Sequence, residues 1–546
     1  MEIATPTGML SITRFRWAIT LLIGVLAIVS RLALLPVVPV PYPGAHDEFA
    51  YILQAETFLE GRLTNAPPEL PEFFEAPNEI VRPVRMSKYP PGQASFLALG
   101  LLAGTAYYGV VLSYGLFCAT MFWMLTAVLP VRWAAAVALM VLLAFHVQHY
   151  WLETYWGGFV AATGGNLVIG SLFHFWRNPQ GRAKWWVVPG LLLLSISRPF
   201  EGLIFCGALF LAVLWIGWPG ASRSIRDYWR SWRLPLVAAL AATLMVHGTY
   251  NQLSLKSPLS MPYMEHERHY TMAPVVWLFP PRDLHYSDPI QTRFHVEWEL
   301  KLYKRVMNRL PFAMFPVQLA RVARAMIWQH WGLLSFVLLA IPFLWRLQKV
   351  RFLAGLLLIG ALVLSLEVWL FAHYMAPFIG ASVALLGIAL RGISARIMQL
   401  KLAPWRPVFA TVVTAACLIA GHGIVTTALG PKPPTPPRVL IGKSLEHQGG
   451  KHLVFVRYSL QREPSGPEWV FNGPDLDRQQ VLWARDRGQE NVRLMQQYAD
   501  RTPWLVEADV PHPQAIPYSE AKTLDPAFQS LLRKESEGEA NSLSRD

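Results

Sequence analysis

The chain has 546 residues, 53% of them hydrophobic and only 15% charged, with 22 Trp and 28 Phe. Soluble domains carry closer to a quarter charged residues, so an ordinary water-soluble enzyme is excluded. The formal charge of +13 does not point to nucleic acid, because the basic residues gather in short loops between apolar runs, and that is a topology signal.

A helix rises about 1.5 Å per residue and needs about 20 apolar residues to cross ~30 Å of hydrocarbon. The runs 17–38, 107–129, 133–149, 157–176, 185–197, 200–218, 234–250, 327–345, 352–371, 374–390 and 407–428 are therefore expected as membrane spans. They predict an all-α polytopic membrane bundle of about 11 transmembrane helices. A barrel would show alternation in ~10-residue segments, which is absent. No small-residue cleavage site follows the run from Trp17 to Val38, which is read as a retained span. Cys118, Cys206 and Cys417 all fall inside apolar runs and read as small core residues without a disulfide framework.

With Arg14 and Arg16 cytoplasmic, alternate loops are cytoplasmic too. Those loops hold Arg132; Arg177, Arg182 and Lys184; Arg223, Arg226, Arg230 and Arg233; Arg346, Lys349 and Arg351; and Arg391, Arg396, Lys401 and Arg406. The opposite short loops hold almost nothing basic except Arg198, the bias expected of positive-inside sorting. Segment 92–104, about 13 residues, would reach only ~20 Å and would invert every later loop if it crossed. It is expected as an interfacial helix on the outer face, started by Pro90-Pro91.

Three soluble pieces then lie outside: the first loop 39–91, the large loop 251–325, and a tail. The bundle covers 1–428, a Pro-rich linker 429–438, and a small extracytoplasmic α/β domain 439–546. The stretch PKPPTPP is a stiff spacer, HLVFVRY reads as a strand, and QENVRLMQQYA as a helix.

Chemistry-bearing residues collect on the outer side. In HDEFAYILQAETFLEGRL (46–63), Phe49, Ile52, Leu53 and Leu59 make a helical stripe after Pro43-Gly44, so Asp47 sits at a helix start. There it serves as an N-cap, as a general base, or as both, and with Glu48 it forms an acidic pair able to bind a metal or accept a proton. In FHVQHYWLETYWGG, His146, His149 and Glu153 would share one face if the helix persists, and such a face could ligate a divalent metal. The alternative is an interfacial lining, where Trp151, Tyr155 and Trp156 are at home. In SRPFEG, Arg198 is either a snorkelling arginine or a partner for phosphate oxygens, with Glu201 nearby. Arg31 and Glu367 fall inside expected spans and should face the interior, where they could pair with each other. His373, Tyr374, His247 and His330 lie near outer ends.

At these residues the chain resembles the GT-C superfamily of integral-membrane glycosyltransferases, in particular the family-39-like groups that include protein O-mannosyltransferases and aminoarabinose transferases. The resemblance rests on Asp47-Glu48 after the first span, Tyr51 and Gly61, the KYPPG motif at Lys88–Gly92 ahead of an interfacial helix, and polar residues ending the third span. It covers about 15–390 in layout. It implies a GT-C-like fold and an inverting transfer of sugar from a polyprenyl-phosphate carrier to an extracytoplasmic acceptor, which is a glycan, a lipid or a protein. Asp47 would be the base and Glu48 its assistant or a metal ligand. Arg198, Lys88 or a metal would stabilise the departing phosphate, and Tyr51, Tyr89, Glu201, His373 and Tyr374 would line the substrate. His46 precedes the acidic pair, and with His146, His149 and Glu153 it makes the candidate metal set. The expected location is a bacterial inner, or plasma, membrane. The expected partners are the lipid-linked donor, the acceptor and membrane lipids, not nucleic acid. The competing readings are a transporter or flippase and a non-catalytic envelope-assembly scaffold.

Overall fold

The computed structural model describes residues 6–216, 225–286, 289–307, 311–400, 405–459, 462 and 466–521. Arg223, Lys401 and residues 522–546 of the expected tail domain lie outside them.

The first long apolar run forms α1 (Pro6–Ala33), and the loop expected to be the first outer one opens with α2 (His46–Leu59). A short antiparallel pair, β1 (Glu79–Ile80) and β2 (Met86–Ser87), leads into α3 (Pro91–Leu102). Then come α4 (Ala106–Val128), α5 (Val131–Ala144), α6 (Phe159–Arg177), α7 (Val187–Ser197), α8 (Pro199–Ile216), α9 (Ile225–Leu255) and α10 (Pro262–Tyr270). The later apolar runs form helices Gln348–Leu364, Ile379–Gln399 and Trp405–Leu429.

By length and composition, four helical stretches among the described residues can cross a membrane: Arg14–Ala33, Ala106–Val128, Phe159–Arg177 and Ala372–Gln399. A bent pair, Phe315–Trp331 with Leu334–Leu344 at 114°, makes a fifth. The protein is a multi-pass membrane protein, and the expected count of eleven spans is not reproduced. Several of those runs form helices too short or too polar to qualify. Apolar α5 covers 14 residues and α7 covers 11, whereas about 20 are needed.

Helix α3 is 12 residues long and packs on α2, α4 and α7, so it joins the bundle without spanning it. Its Gly100 lies so close to α4 that an added Cβ would come within 2.2 Å of the Gly109 nitrogen. Such small-residue seams suit helices in lipid, where apolar burial alone gives little drive to associate.

Two spans end earlier than expected. Helix α5 stops at Ala144, and residues 145–158 form turns around the fully buried Trp151. Helix Gln348–Leu364 stops before Glu367, whose backbone instead pairs with the 275–277 segment: Trp277 N–H donates to Leu366 O at 3.0 Å and Val368 N–H to Val275 O at 2.9 Å.

After helix Pro437–Gln448, the tail forms a four-stranded sheet in the order β4-β3-β5-β6. Its strands are β3 (His452–Arg457), β4 (Val481–Arg485), β5 (Thr502–Glu507) and β6 (Ala515–Pro517). Strand β3 runs parallel to β4 and β5, and β6 is antiparallel. The expected strand and helix are both present, the latter as Asn491–Gln497.

The tail is not held off by its Pro-rich spacer. Phe73 and Phe74 of the first outer loop are buried in one cluster with Leu453, Phe455, Leu482 and Leu505 of the sheet. Buried Arg85 donates to the carbonyls of Gly473 (2.7 Å) and Asn472 (2.8 Å). The first loop and the tail therefore share a core.

Candidate active site

Helix α2 starts at a non-helical Ala45, and Glu48 closes the cap: its Oε2 accepts the N–H groups of Gly44 (2.8 Å) and Ala45 (3.0 Å). Its Oε1 accepts the Tyr155 N–H at 3.0 Å. Burial pushes the Glu48 carboxyl up, against these three amides. Asp47 was a candidate for the cap itself, but with Glu48 in that place it is free to point outward from the first turn. Asp47 is only half-buried, and its Oδ1 accepts the Tyr89 hydroxyl.

The KYPPG motif supplies that hydroxyl and fixes its neighbours. Pro90 is extended (φ −61°, ψ 157°) and Pro91 begins α3, as suits residues lacking an N–H at a helix start. Gly92 lets α3 press against the end of α7, since a Cβ there would lie 2.6 Å from Ile196 O. Two residues after Ile196 the chain reaches Arg198, so one glycine contact brings the motif beside the arginine turn. Tyr89 stacks on Tyr51 with ring centroids 4.3 Å apart. Burial and the Asp47 charge push the Tyr89 phenol well up, which keeps it protonated as the donor to Asp47.

Arg198 Nη1 lies 3.1 Å from Glu201 Oε1, and its guanidinium sits 4.8 Å from the Tyr374 ring centroid. Burial opposes its charge, but Glu201 and the neighbouring phenols hold its pKa above the ordinary arginine value. The Tyr51 phenol is pushed up by burial, with Arg198 opposing the shift and Asp47 and Glu201 adding to it. His373 Nδ1 is 3.2 Å from the Tyr150 hydroxyl at the same rim. Lys88 Nζ sits 5.4 Å from the ring centroids of both Tyr89 and Tyr263. It lines a cleft with His247, Tyr250, Asn251 and Tyr263.

The expected base Asp47 and the expected donor and substrate residues Tyr51, Lys88, Tyr89, Arg198, Glu201, His373 and Tyr374 thus lie at one end of the bundle. The expected metal set does not. His46 Nδ1 lies 3.2 Å from Glu468 Oε2 of the tail. His146 Nε2 is 3.1 Å from Ser30 Oγ. His149 Nε2 is 3.0 Å from His330 Nδ1, and its Nδ1 accepts the Trp151 N–H. Glu153 accepts from Arg31 Nε at 3.2 Å. The shared helix face is lost because α5 ends at Ala144, and among the described residues no group of three or more His, Cys, Asp or Glu is placed to hold a metal ion. The suggested pairing of Arg31 with Glu367 is also corrected. Arg31 takes Glu153 and the Val38 carbonyl (3.0 Å), while Glu367 lies near Glu201 and Arg198.

Sequence reasoning missed Tyr150, Tyr263 and the tail's Glu468. Each reaches the rim over a long sequence separation, and no local spacing marks it.

No protein-family model matches the chain, and no curated protein matches it. Among solved structures, ArnT from Cupriavidus metallidurans in the apo state aligns with a TM-score of 0.52 at 13% identity, over 92% of this chain and 94% of that one. ArnT from the same organism bound to undecaprenyl phosphate aligns at 0.48 and 13% identity, over 87% and 88%. The archaeal oligosaccharyltransferase AglB from Archaeoglobus fulgidus, in complex with an inhibitory peptide and a dolichol-phosphate, aligns at 0.47 and 11% identity, over 81% and 62%. The apo ArnT alignment, nearly end to end in both chains, shows that this chain has the fold of ArnT.

Proposed function

We propose that the protein is a membrane glycosyltransferase that moves a sugar from a polyprenyl-phosphate carrier to an acceptor hydroxyl on the extracytoplasmic side. The observation that carries this reading is a half-buried carboxylate, Asp47, bonded by the Tyr89 hydroxyl, at the rim where Gly92 of the same motif packs on Ile196 beside the largely buried Arg198 guanidinium. A lipid-phosphate donor keeps its tail in the bilayer and its head at the interface, so a rim of helix ends is where its sugar would lie.

Asp47 takes the proton of the acceptor hydroxyl as its oxygen bonds to the anomeric carbon. The bond from that carbon to the phosphate oxygen breaks, and its electron pair leaves on the polyprenyl phosphate. One displacement inverts the anomeric centre. The growing phosphate charge is met by Arg198, preset by Glu201 and Tyr374, and by Lys88 at the cleft. The Tyr89 hydroxyl holds Asp47 Oδ1 in direction. Glu48 fixes the helix start and takes no part in proton transfer. Cation chemistry at the rim belongs to Arg198 and Lys88, not to the imidazoles of His46, His146 and His149. A transporter would need a midplane site, whereas Arg31 stands in the last turn of α1, bound to Glu153 and the Val38 carbonyl.

The test is Asp47→Asn in the full-length protein, assayed for sugar transfer and for donor binding. Transfer is expected to fall by about 10²–10⁴-fold, as for loss of a general base, with yield and donor affinity kept. Undiminished turnover would remove Asp47 from the reaction.

A further inference from the structure

The bundle end opposite Asp47 carries a second constellation, and its charge is one-sided. The last turn of α4 leaves carbonyls without helical partners. Arg177 Nη1 donates to Thr126 O at 2.7 Å, and Lys349 Nζ to Val128 O at 2.8 Å. His174 Nε2 lies 3.1 Å from Trp123 O on the same turn. Arg16, at the start of the membrane-spanning stretch Arg14–Ala33 of α1, is within Coulombic range of both His174 and Arg177, and the exposed Arg391 is within range of Lys349. Helix C-termini carry only about half a negative charge, which falls far short of four cations. Among the described residues no carboxylate pairs with Arg16, Arg177, Lys349 or Arg391, and the Arg16 Nε is buried without a partner. C-capping accounts for Arg177 and Lys349; it leaves Arg16 and Arg391 in surplus.

The surroundings set the depth. Trp17 packs against Trp186 at 5.9 Å, Trp186 against Trp123 at 6.1 Å, and Trp17, Trp185 and Trp186 are all exposed. Tryptophans of this kind sit at lipid headgroup level. Beyond Arg16, the membrane-spanning part of α1 leaves Leu21, Leu22, Val25 and Val29 exposed on the protein surface, an apolar track continuous with the cations.

We propose that Arg16, Arg177, Lys349 and Arg391 form a binding site for the phosphate of an anionic phospholipid, with its acyl chains along the exposed stripe of α1. The shared chemistry is a phosphate oxyanion, and the apolar track beside the cations selects the lipid over a free anion.

The experiment uses the purified full-length chain, delipidated and titrated with phosphatidylglycerol or phosphatidylcholine, with bound lipid counted by native mass spectrometry. Phosphatidylglycerol is expected to bind at least about tenfold more tightly, given that each basic residue near a membrane surface contributes measurably. Arg16→Gln with Arg391→Gln removes the surplus cations and spares the two that cap α4, and it should abolish the preference; Arg16→Lys with Arg391→Lys should restore most of it. Equal affinity for the two lipids, or a preference unchanged in the double Gln variant, overturns the proposal. Inorganic phosphate should not compete, and displacement of the lipid by it would overturn the lipid assignment in favour of a small anion. If the double Gln variant fails to fold, the comparison of the two lipids on the unaltered chain decides.

Discussion

Glu48 accepts backbone N–H groups from Gly44, Ala45 and Tyr155, while Asp47 beside it accepts a single phenol from Tyr89. The two carboxylates differ by one position on α2, and hydrogen bonding gives them separate work. Three amide donors commit Glu48 to the chain around it. Asp47 keeps an oxygen free among the described residues and remains half-exposed. Removing the phenol tests this division. Tyr89→Phe should leave Asp47 present but loosely held, and a hydrogen bond to a charged group is worth about 1.5–3 kcal/mol. Expressed in kcat, the loss is about 10–100-fold, with donor KM little changed. A change confined to KM would place Tyr89 in binding instead.

At the scale of elements, α3 and the α7–α8 turn form the site through their contact at Gly92. Gly92→Ala would set a Cβ 2.6 Å from the Ile196 carbonyl, and forcing such an overlap costs about 1–3 kcal/mol. Lowered thermal stability together with a raised donor KM is expected, since Lys88 and Tyr89 lead directly into α3 and Arg198 sits on the opposing turn. Thermal melting and donor kinetics of the same preparation check it; an unchanged KM would separate the motif from the arginine. The KYPPG motif and the helix after His46 were legible in sequence because proline, glycine and an apolar stripe act locally. The stretch 145–158 was not. Its His-x-x-His and His-x-x-x-Glu spacings fit a helix face, but burial of Trp151 and the left-handed Gly157 (φ +79°) win over periodicity. The partners of Arg31 were hidden for a related reason: Glu153 lies 122 residues away, and only tertiary packing brings it there.

Across the whole molecule, the tail domain braces the first outer loop from outside the bundle. Glu468 N–H donates to Gly44 O, and the Glu468 carboxylate faces His46, one residue before Asp47. Burial disfavours that carboxylate, yet Arg485 and His46 hold it well below its ordinary value of 4.5. A depressed acid lends stability that is full above the unfolded value and is lost as pH falls through the folded one. Docking of the tail should therefore weaken on acidification below about pH 4.5, and Glu468→Gln should flatten that dependence in melting curves taken from pH 7 downward. A variant with the same acid sensitivity as the unaltered chain would place the effect elsewhere. The sequence disclosed the two soluble ends as separate pieces, and in the fold Arg177 and Lys349 meet at the bundle end opposite Asp47 and Arg198. It could not disclose that the tail and the first loop share a core, because Phe73 and Phe74 carry no mark of their distant partners.

The central claim is that Asp47 completes a sugar transfer from a lipid phosphate held at this rim. Mass spectrometry of lipids extracted from purified Asp47→Asn and unaltered protein tests it most directly. The account expects the variant to retain intact polyprenyl-phosphate-linked sugar that the unaltered protein turns over to free polyprenyl phosphate once acceptor is present. Recovery of no such lipid from either protein, or equal turnover by both, would contradict it.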